Sequence, residues 1–403
     1  MKIFLAFLLA SASCFAQGPT LPFGAVTNSL GPTYTDTFAR ANGGLGTNWT
    51  TVTGSDCDPA IVSDFVMAST APCTHSLGAY SAGTFHNNQY TTSIVGTESS
   101  ISFQSLVVRS GSGRCYNDGY TGYSTSWALG VLNPTPTDFG AVAPTNSAPV
   151  VGNTLGLYVA GTGPVFFWSM LDSGSGLTIN ATAVDSTYNF NGGVPGVGVV
   201  EQNSVPTATT GTWTGGSLPS FSSVPADNFT RADAGWLGVN WWFNWGSDEG
   251  GGWVLTGNKA VPALASLGSW AGAIWTTPFG PNQSSKITVG GGTWIGPLVR
   301  DTPINGGLDN LYAALENGGN IDLYVRVAGS WTLLGQWAHT QAPGETLELD
   351  ASGTSTVTLT ILINGTVFQT FSDSTYHIAG NYAGFTALGS GISVSNWIGA
   401  TLP

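Results

Sequence analysis

Acids placed to work as a pair are the first thing to look for in this sequence. Hydrolysis of a glycosidic bond needs two carboxyl groups about 5 Å apart when configuration is retained, and further apart when it is inverted. Glu348-Leu-Asp350 puts two acids at i and i+2, which share one face of a strand. Asp248-Glu249 are adjacent, so in a strand they face opposite ways. Other chemistries find less. There is no Gly-x-Ser-x-Gly elbow for a serine nucleophile. The four histidines, His75, His86, His339 and His377, are scattered, with no His-Glu-x-x-His, and neither Lys259 nor Lys286 sits in a phosphate loop.

Aromatic residues are the more suggestive set. Flat rings pack against the apolar C–H face of a pyranose while neighbouring polar groups read its hydroxyls. Trp236, Trp241, Trp242, Trp245 and Trp253 crowd one stretch, followed by Trp270, Trp275 and Trp294. Trp49 matches Trp241 and Trp213 matches Trp397 in a repeated pattern, which assigns these four to the core. Trp242, Trp245, Trp270 and Trp275 lack such counterparts and are the candidate sugar platforms, with Tyr116, Tyr120 and Tyr123 in the same role in the first half.

The repeat itself starts at Asp36-x-Phe38-x-Arg40-Ala…Leu45-Gly-x-Asn48-Trp49. It returns as Asp227-x-Phe229-x-Arg231-Ala…Leu237-Gly-x-Asn240-Trp241 with one residue inserted. Asp, Phe and Arg at i, i+2 and i+4 would align on one face. Asp36 with Arg40 and Asp227 with Arg231 are therefore expected to be structural clamps. Further pairs follow in the same order, all offset by roughly 190 positions: Arg109 and Arg300, Asp185 and Asp373, Trp213 and Trp397. Glu348 and Asp350 correspond to Gly156 and Tyr158, so the paired acids occur in one copy only.

The elements that must carry these residues are strands. Ser355–Ile363 alternates with period two, Asn364-Gly365 turns it, and Thr366–Phe371 continues, a strong hairpin signal. Ile321–Val327 alternates before Ala328-Gly329, and Ser100–Val108 and Ser175–Ala183 do likewise. No amphipathic helix of useful length is predicted. The expectation is an all-β protein of two tandem antiparallel β-sandwich, jelly-roll domains, 36–219 and 227–403, joined by a linker at 220–226 and preceded by an extended lead at 17–35.

Residues 1–16 read as a signal peptide, with one lysine, a short apolar run and small residues before a cut at Ala16. A secreted or cell-surface protein is therefore expected. Cys57 and Cys73 are then a candidate disulfide, with Cys115 an open alternative as a partner. Lys and Arg total 9 against 22 Asp and Glu, and charged residues are 8% of the chain. Without a basic cluster to displace counterions, nucleic acid and anionic membranes are excluded as partners, and no apolar run is long enough to span a bilayer as a helix.

The Asp-x-Phe-x-Arg-Ala…Leu-Gly-x-Asn-Trp order, the central Asn-Gln, the Gly-x-Thr-Leu-x-Leu strand and the Asn-Gly hairpin resemble secreted bacterial domains of the concanavalin A-like lectin/glucanase superfamily, the laminin-G-like jelly rolls. The resemblance covers both halves, the second better. It implies two curved sheets per domain with a concave ligand face. Glucanases of this superfamily carry Glu-x-Asp-x-x-Glu, whereas here the third position is Gly353. It also implies calcium as a cofactor to be considered, held by loop carboxylates at Asp56, Asp58, Asp248 and Glu249. The reading is a non-catalytic protein that binds polysaccharide or glycan. The alternative is a subunit of an extracellular filament, sheath or surface layer whose partner is its own copy, and a glycoside hydrolase stands third.

Overall fold

A computed structural model describes residues 32–52, 55, 57–69, 75–97, 102–111, 114–121, 126–133, 135–138, 149–174, 176–201, 208–218, 225–244, 252–263, 266–303, 310–342 and 344–403. Among them the chain is all-β, and every strand pairing between Thr33 and Thr401 is antiparallel. The strands form two jelly-roll β-sandwiches, one from Thr33 to Ser217 and one from Ala226 to Thr401.

The two sandwiches share one strand order. The larger sheet of the first runs Phe65–Ala68, Thr210–Ser217, Gln89–Val95, Thr154–Ala160, Val165–Asp172 and Thr178–Asp185. That of the second runs Ala260–Pro262, Ser393–Thr401, Gln283–Gly291, Thr346–Ser352, Val357–Ile363 and Thr366–Asp373. The seven-stranded sheets also match. Trp49–Thr51, His75–Tyr80, Val194–Glu201, Ser102–Gly111, Arg114–Thr121, Ser126–Asn133 and Thr135–Asp138 correspond to Trp241–Asn244, Ser266–Trp275, Tyr382–Ser390, Ile295–Asp301, Leu311–Glu316, Asn320–Val327 and Ser330–Ala338. Alternation explains the faces. In Val357–Ile363 the residues Val357, Leu359 and Ile361 are buried and those between are not. At the Asn364-Gly365 turn both residues have positive φ (50° and 75°), the geometry a two-residue hairpin with right-handed strand twist demands.

Hydrogen bonds repeat atom for atom. Arg40 Nη1 and Nη2 donate to the Asp36 carboxylate at 2.6 and 3.0 Å, and Arg231 does the same to Asp227 at 2.6 and 2.9 Å. The Trp49 and Trp241 indoles donate to the same two acids at 2.8 and 2.9 Å. These Asp residues also cap the N–H groups of Phe38 and Phe229, both at φ 55°. The arginines therefore bond along the chain around the ring, as a fork on a carboxylate. Burial alone would raise the Asp36 carboxyl, but its bonds to Arg40, Phe38 and Trp49 outweigh burial and hold it below its usual value.

A second motif is deeper. Arg109 and Arg300 are buried at φ 52° and 57°, their N–H groups donating to Gln89 and Gln283. Their guanidinium groups donate to the carbonyls of Phe190 and Gly161 in one unit and of Ile378 and Gly353 in the other. Tyr116 and Tyr312 donate to Asp185 and Asp373, which in turn accept N–H groups of the following turn.

The units dock through one continuous core. Tyr158, Phe166, Trp168 and Met170 of the first belong to the same apolar cluster as the core of the second. Arg40 and Arg231 bond the carbonyls of Leu45 and Leu237, which fixes these two as equivalents and leaves Trp236 as the inserted residue. That insertion lies at the seam: Trp236 meets Tyr158 edge-on at 5.7 Å and Trp168 at 6.2 Å. The Trp168 indole donates to the Trp241 carbonyl at 3.1 Å, and Phe166 lies 5.5 Å from Trp242. A Cβ on Gly235 would come within 2.8 Å of Thr178 Cγ2 and 2.9 Å of the Leu177 carbonyl, so only glycine allows this approach.

Candidate functional site

The seven-stranded sheet of the second unit presents rings on its outer face. In Asn320–Val327, Ile321, Leu323 and Val325 point into the core, which puts Asp322, Tyr324 and Arg326 on the opposite face, where Tyr324 is half-buried and Asp322 and Arg326 are buried beneath neighbouring side chains. Trp331 on the neighbouring edge strand pairs directly with Arg326. Trp270 and Trp294 complete a half-buried group. Trp270 lies 4.7 Å from Trp331 and 6.1 Å from Trp294, and Tyr324 lies 5.9 Å from Trp331 and 6.4 Å from Trp294. The Arg326 guanidinium sits 5.4 Å from the Trp331 ring centre, close enough for a cation–π contact.

Polar groups stand beside these rings. Asp322 accepts from Asn317 Nδ2 at 2.5 Å and from Gln336 Nε2 at 2.8 Å. The Trp331 indole N–H is buried with no partner among the described residues. Asp322 is itself buried with both oxygens taken, so its part is to hold the exposed Gln336 amide beside half-buried rings that could pack on an apolar sugar face.

A cavity of about 440 Å³ opens where the units meet, walled by Asn87, Asn88 and Thr162 of the first and Thr277 and Tyr382 of the second. Its position is separate from the aromatic face.

The residues expected from the sequence fall into several groups. Trp270 lies on the aromatic face. Trp242, Trp275 and Tyr116 do not serve as platforms, which corrects the expectation for all three. Trp242 is buried against Phe166 at the seam, and Trp275 is buried and stacked on Trp397 at 5.2 Å. Tyr116 is buried and donates its hydroxyl to Asp185, as Tyr312 does to Asp373. Trp245, Tyr123 and the Tyr120 side chain lie outside the described residues, as do Asp56, Asp248, Glu249 and Cys73.

Among the loop acids, Asp58 is exposed and accepts from Thr51 Oγ1 at 2.5 Å. No group of three or more potential ligands that could hold a metal ion occurs among the described residues. Cys57 is disulfide-bonded. Cys115 is a free thiol, fully buried and pushed up to about 12 by burial, so the alternative that paired it is corrected.

Glu348 and Asp350 do share the outer face of their strand. Glu348 is held in an ion pair by Lys286 at 2.8 Å. Burial first, and the Glu348 charge second, push Asp350 up to about 6, although Lys286 pulls the other way. Sequence reasoning missed Trp294, Tyr324 and Trp331 as a group. The signal was available for Tyr324, since alternation about Leu323 and Val325 turns it outward together with Arg326.

No protein family matches the chain, and no curated protein matches it in sequence. Solved structures do. The carbohydrate-binding module CBM66 from Bacillus subtilis is 11% identical over 40% of this chain and 93% of its own, with a TM-score of 0.30. The exoplasmic/lumenal domain of VIP36 in its Ca2+/Man3GlcNAc-bound form is 15% identical over 40% and 85%, at 0.29. The CBM2 module of the evolved Dit protein of Lactobacillus casei BL23 phage J-1 is 13% identical over 44% and 92%, at 0.30. Likeness at this level identifies neither a site nor a ligand for this chain.

Proposed function

We propose that this is a secreted, non-catalytic carbohydrate-binding protein built from two copies of one lectin-like sandwich, with Cys57 paired to Cys73 in the first copy. The observation that carries the reading is the half-buried group of Trp270, Trp294, Tyr324 and Trp331 beside Arg326 and the Asp322 amide network. Ordinary core packing accounts for rings such as Trp241 and Trp397, which are fully buried. The four rings pack against that core on one side and stay part-open on the other, and such a part-open aromatic cluster is the surface a sugar ring could cover. The test is affinity electrophoresis against a panel of soluble neutral polysaccharides. At least one should retard the intact chain, and Trp331→Ala should weaken that binding tenfold or more, about 1.4 kcal/mol. A panel with no ligand, or a ligand indifferent to Trp331→Ala and Trp270→Ala together, defeats the reading.

A second reading, a subunit of an extracellular assembly, is favoured by two edge strands of the second sandwich that have no outer partner strand among the described residues. Ser330–Ala338 carries no charged residue, and Thr366–Asp373 none before Asp373, with Val367 59% exposed. Uncharged edge strands are templates for pairing with another chain. Negative-stain microscopy at rising concentration tests it: ordered filaments or sheets support it, and discrete two-lobed particles at every concentration remove it.

A further inference from the structure

We propose that the cavity between the two units is a second binding site, distinct from the aromatic face, for a neutral hydroxyl-rich ligand of mono- or disaccharide size. Its volume of about 440 Å³ falls in the ~300–1,000 Å³ range of small-ligand sites. No Asp, Glu, Lys or Arg lines it, and His86, exposed at its rim, is the one imidazole there, so no fixed charge selects an ionic ligand. Polar groups line it on both sides: the amides of Asn87 and Asn88 and the hydroxyl of Thr162 from one unit, the hydroxyls of Thr277 and Tyr382 from the other.

The first wall is built rigidly. Buried Arg109 donates from Nε to the Asn87 carbonyl at 2.7 Å and from Nη2 to the Gly161 carbonyl at 2.6 Å. Asn87 and Asn88 use their side-chain oxygens to accept from Gly192 N and Gly161 N, at 2.7 and 3.2 Å. Their amide N–H groups are the donors that remain for a ligand. On the second wall the Thr277 hydroxyl is buried with no partner among the described residues, a group that a ligand hydroxyl would satisfy. Leu218 and Pro278 supply apolar surface against which a ring could rest.

The second unit has the same loop pair, with Asn282 accepting from Gly353 N at 3.1 Å and Arg300 donating to the Gly353 carbonyl. The cavity at the first pair is closed by residues of the second unit, so the site is a product of docking rather than of either sandwich alone.

Calorimetric titration of the intact chain with a panel of neutral monosaccharides and disaccharides tests the proposal. Three variants accompany it: Thr162→Trp, which fills the cavity from an exposed position, Thr277→Val, which keeps shape and removes the hydroxyl, and Trp331→Ala on the aromatic face. The expected result is one-site binding that is unchanged by salt. Thr162→Trp and Thr277→Val should each weaken it at least tenfold, and Trp331→Ala should leave it intact. Absence of binding across the panel overturns the proposal, as does binding that survives both cavity variants. Binding lost only in Trp331→Ala also overturns it, while leaving the polysaccharide reading in place.

Discussion

Buried charge and hydrogen bonding decide what single residues can do here. The Arg300 backbone N–H bonds the Gln283 side chain, and its guanidinium ties together the carbonyls of Ile378 and Gly353. Arg300→Met would strand those carbonyls in the interior, where each unsatisfied group costs about 1–3 kcal/mol. Chemical denaturation should show a loss of about 3 kcal/mol or more, and an unchanged midpoint would contradict the buried bonding.

Asp350 gives a pH signature. Its carboxyl is raised to about 6, so between the ordinary carboxylate value and pH 6 the folded state holds more protons than the unfolded one. Stability contributed by the protonated form is therefore present at low pH and is lost as pH rises through about 6. Asp350→Asn should raise the Tm at pH 7 and change it little at pH 4. A variant that melts lower at pH 7 than the parent would show that the charged form is favoured instead.

At the scale of elements, the seam rests on one inserted residue and one glycine. Gly235→Val pushes a branched side chain into Thr178 and the Leu177 carbonyl. Small-angle scattering should then report a larger radius of gyration with both sandwiches still folded, whereas a radius equal to the parent's would mean that the seam tolerates the side chain.

Much of this level was legible in the sequence. Alternation located Val357–Ile363 and Asn320–Val327, the Asn364-Gly365 pair located a hairpin, and the repeated Asp-x-Phe-x-Arg located the clamps. What could not be read was which tryptophans face outward. Lack of a counterpart suggested exposure for Trp242 and Trp275, yet Trp242 replaces Thr50 because the first unit covers it, and Trp275 fills the core beside Trp397. Burial by a second unit leaves no periodic mark. Trp331 and Trp294 come together with Trp270 only through pairing across the sheet.

The whole molecule is a head-to-tail pair whose outer ends differ from its seam. Strand register makes Asp350 and Thr360 the equivalents of Tyr158 and Trp168, and Ser352 and Thr358 those of Ala160 and Phe166. The apolar face that docks in the first unit is thus polar in the second, with Lys286 and Glu348 paired beside it. At the opposite end, exposed Thr50 stands where the second unit has Trp242. A head-to-tail interface propagates unless its ends are disarmed, and here both are. Writing the second unit's residues into the first, as Tyr158→Asp with Trp168→Thr, should separate the units in scattering while each stays folded. Scattering unchanged from the parent would contradict the role given to that face.

Packing of a glycan on the outer aromatic face is tested most directly by the indole N–H resonances during titration with an oligosaccharide of the bound polysaccharide. The signals of Trp270, Trp294 and Trp331 should move and those of the buried Trp213, Trp241, Trp275 and Trp397 should stay. Movement confined to the buried set, or no movement at saturating ligand, would contradict it.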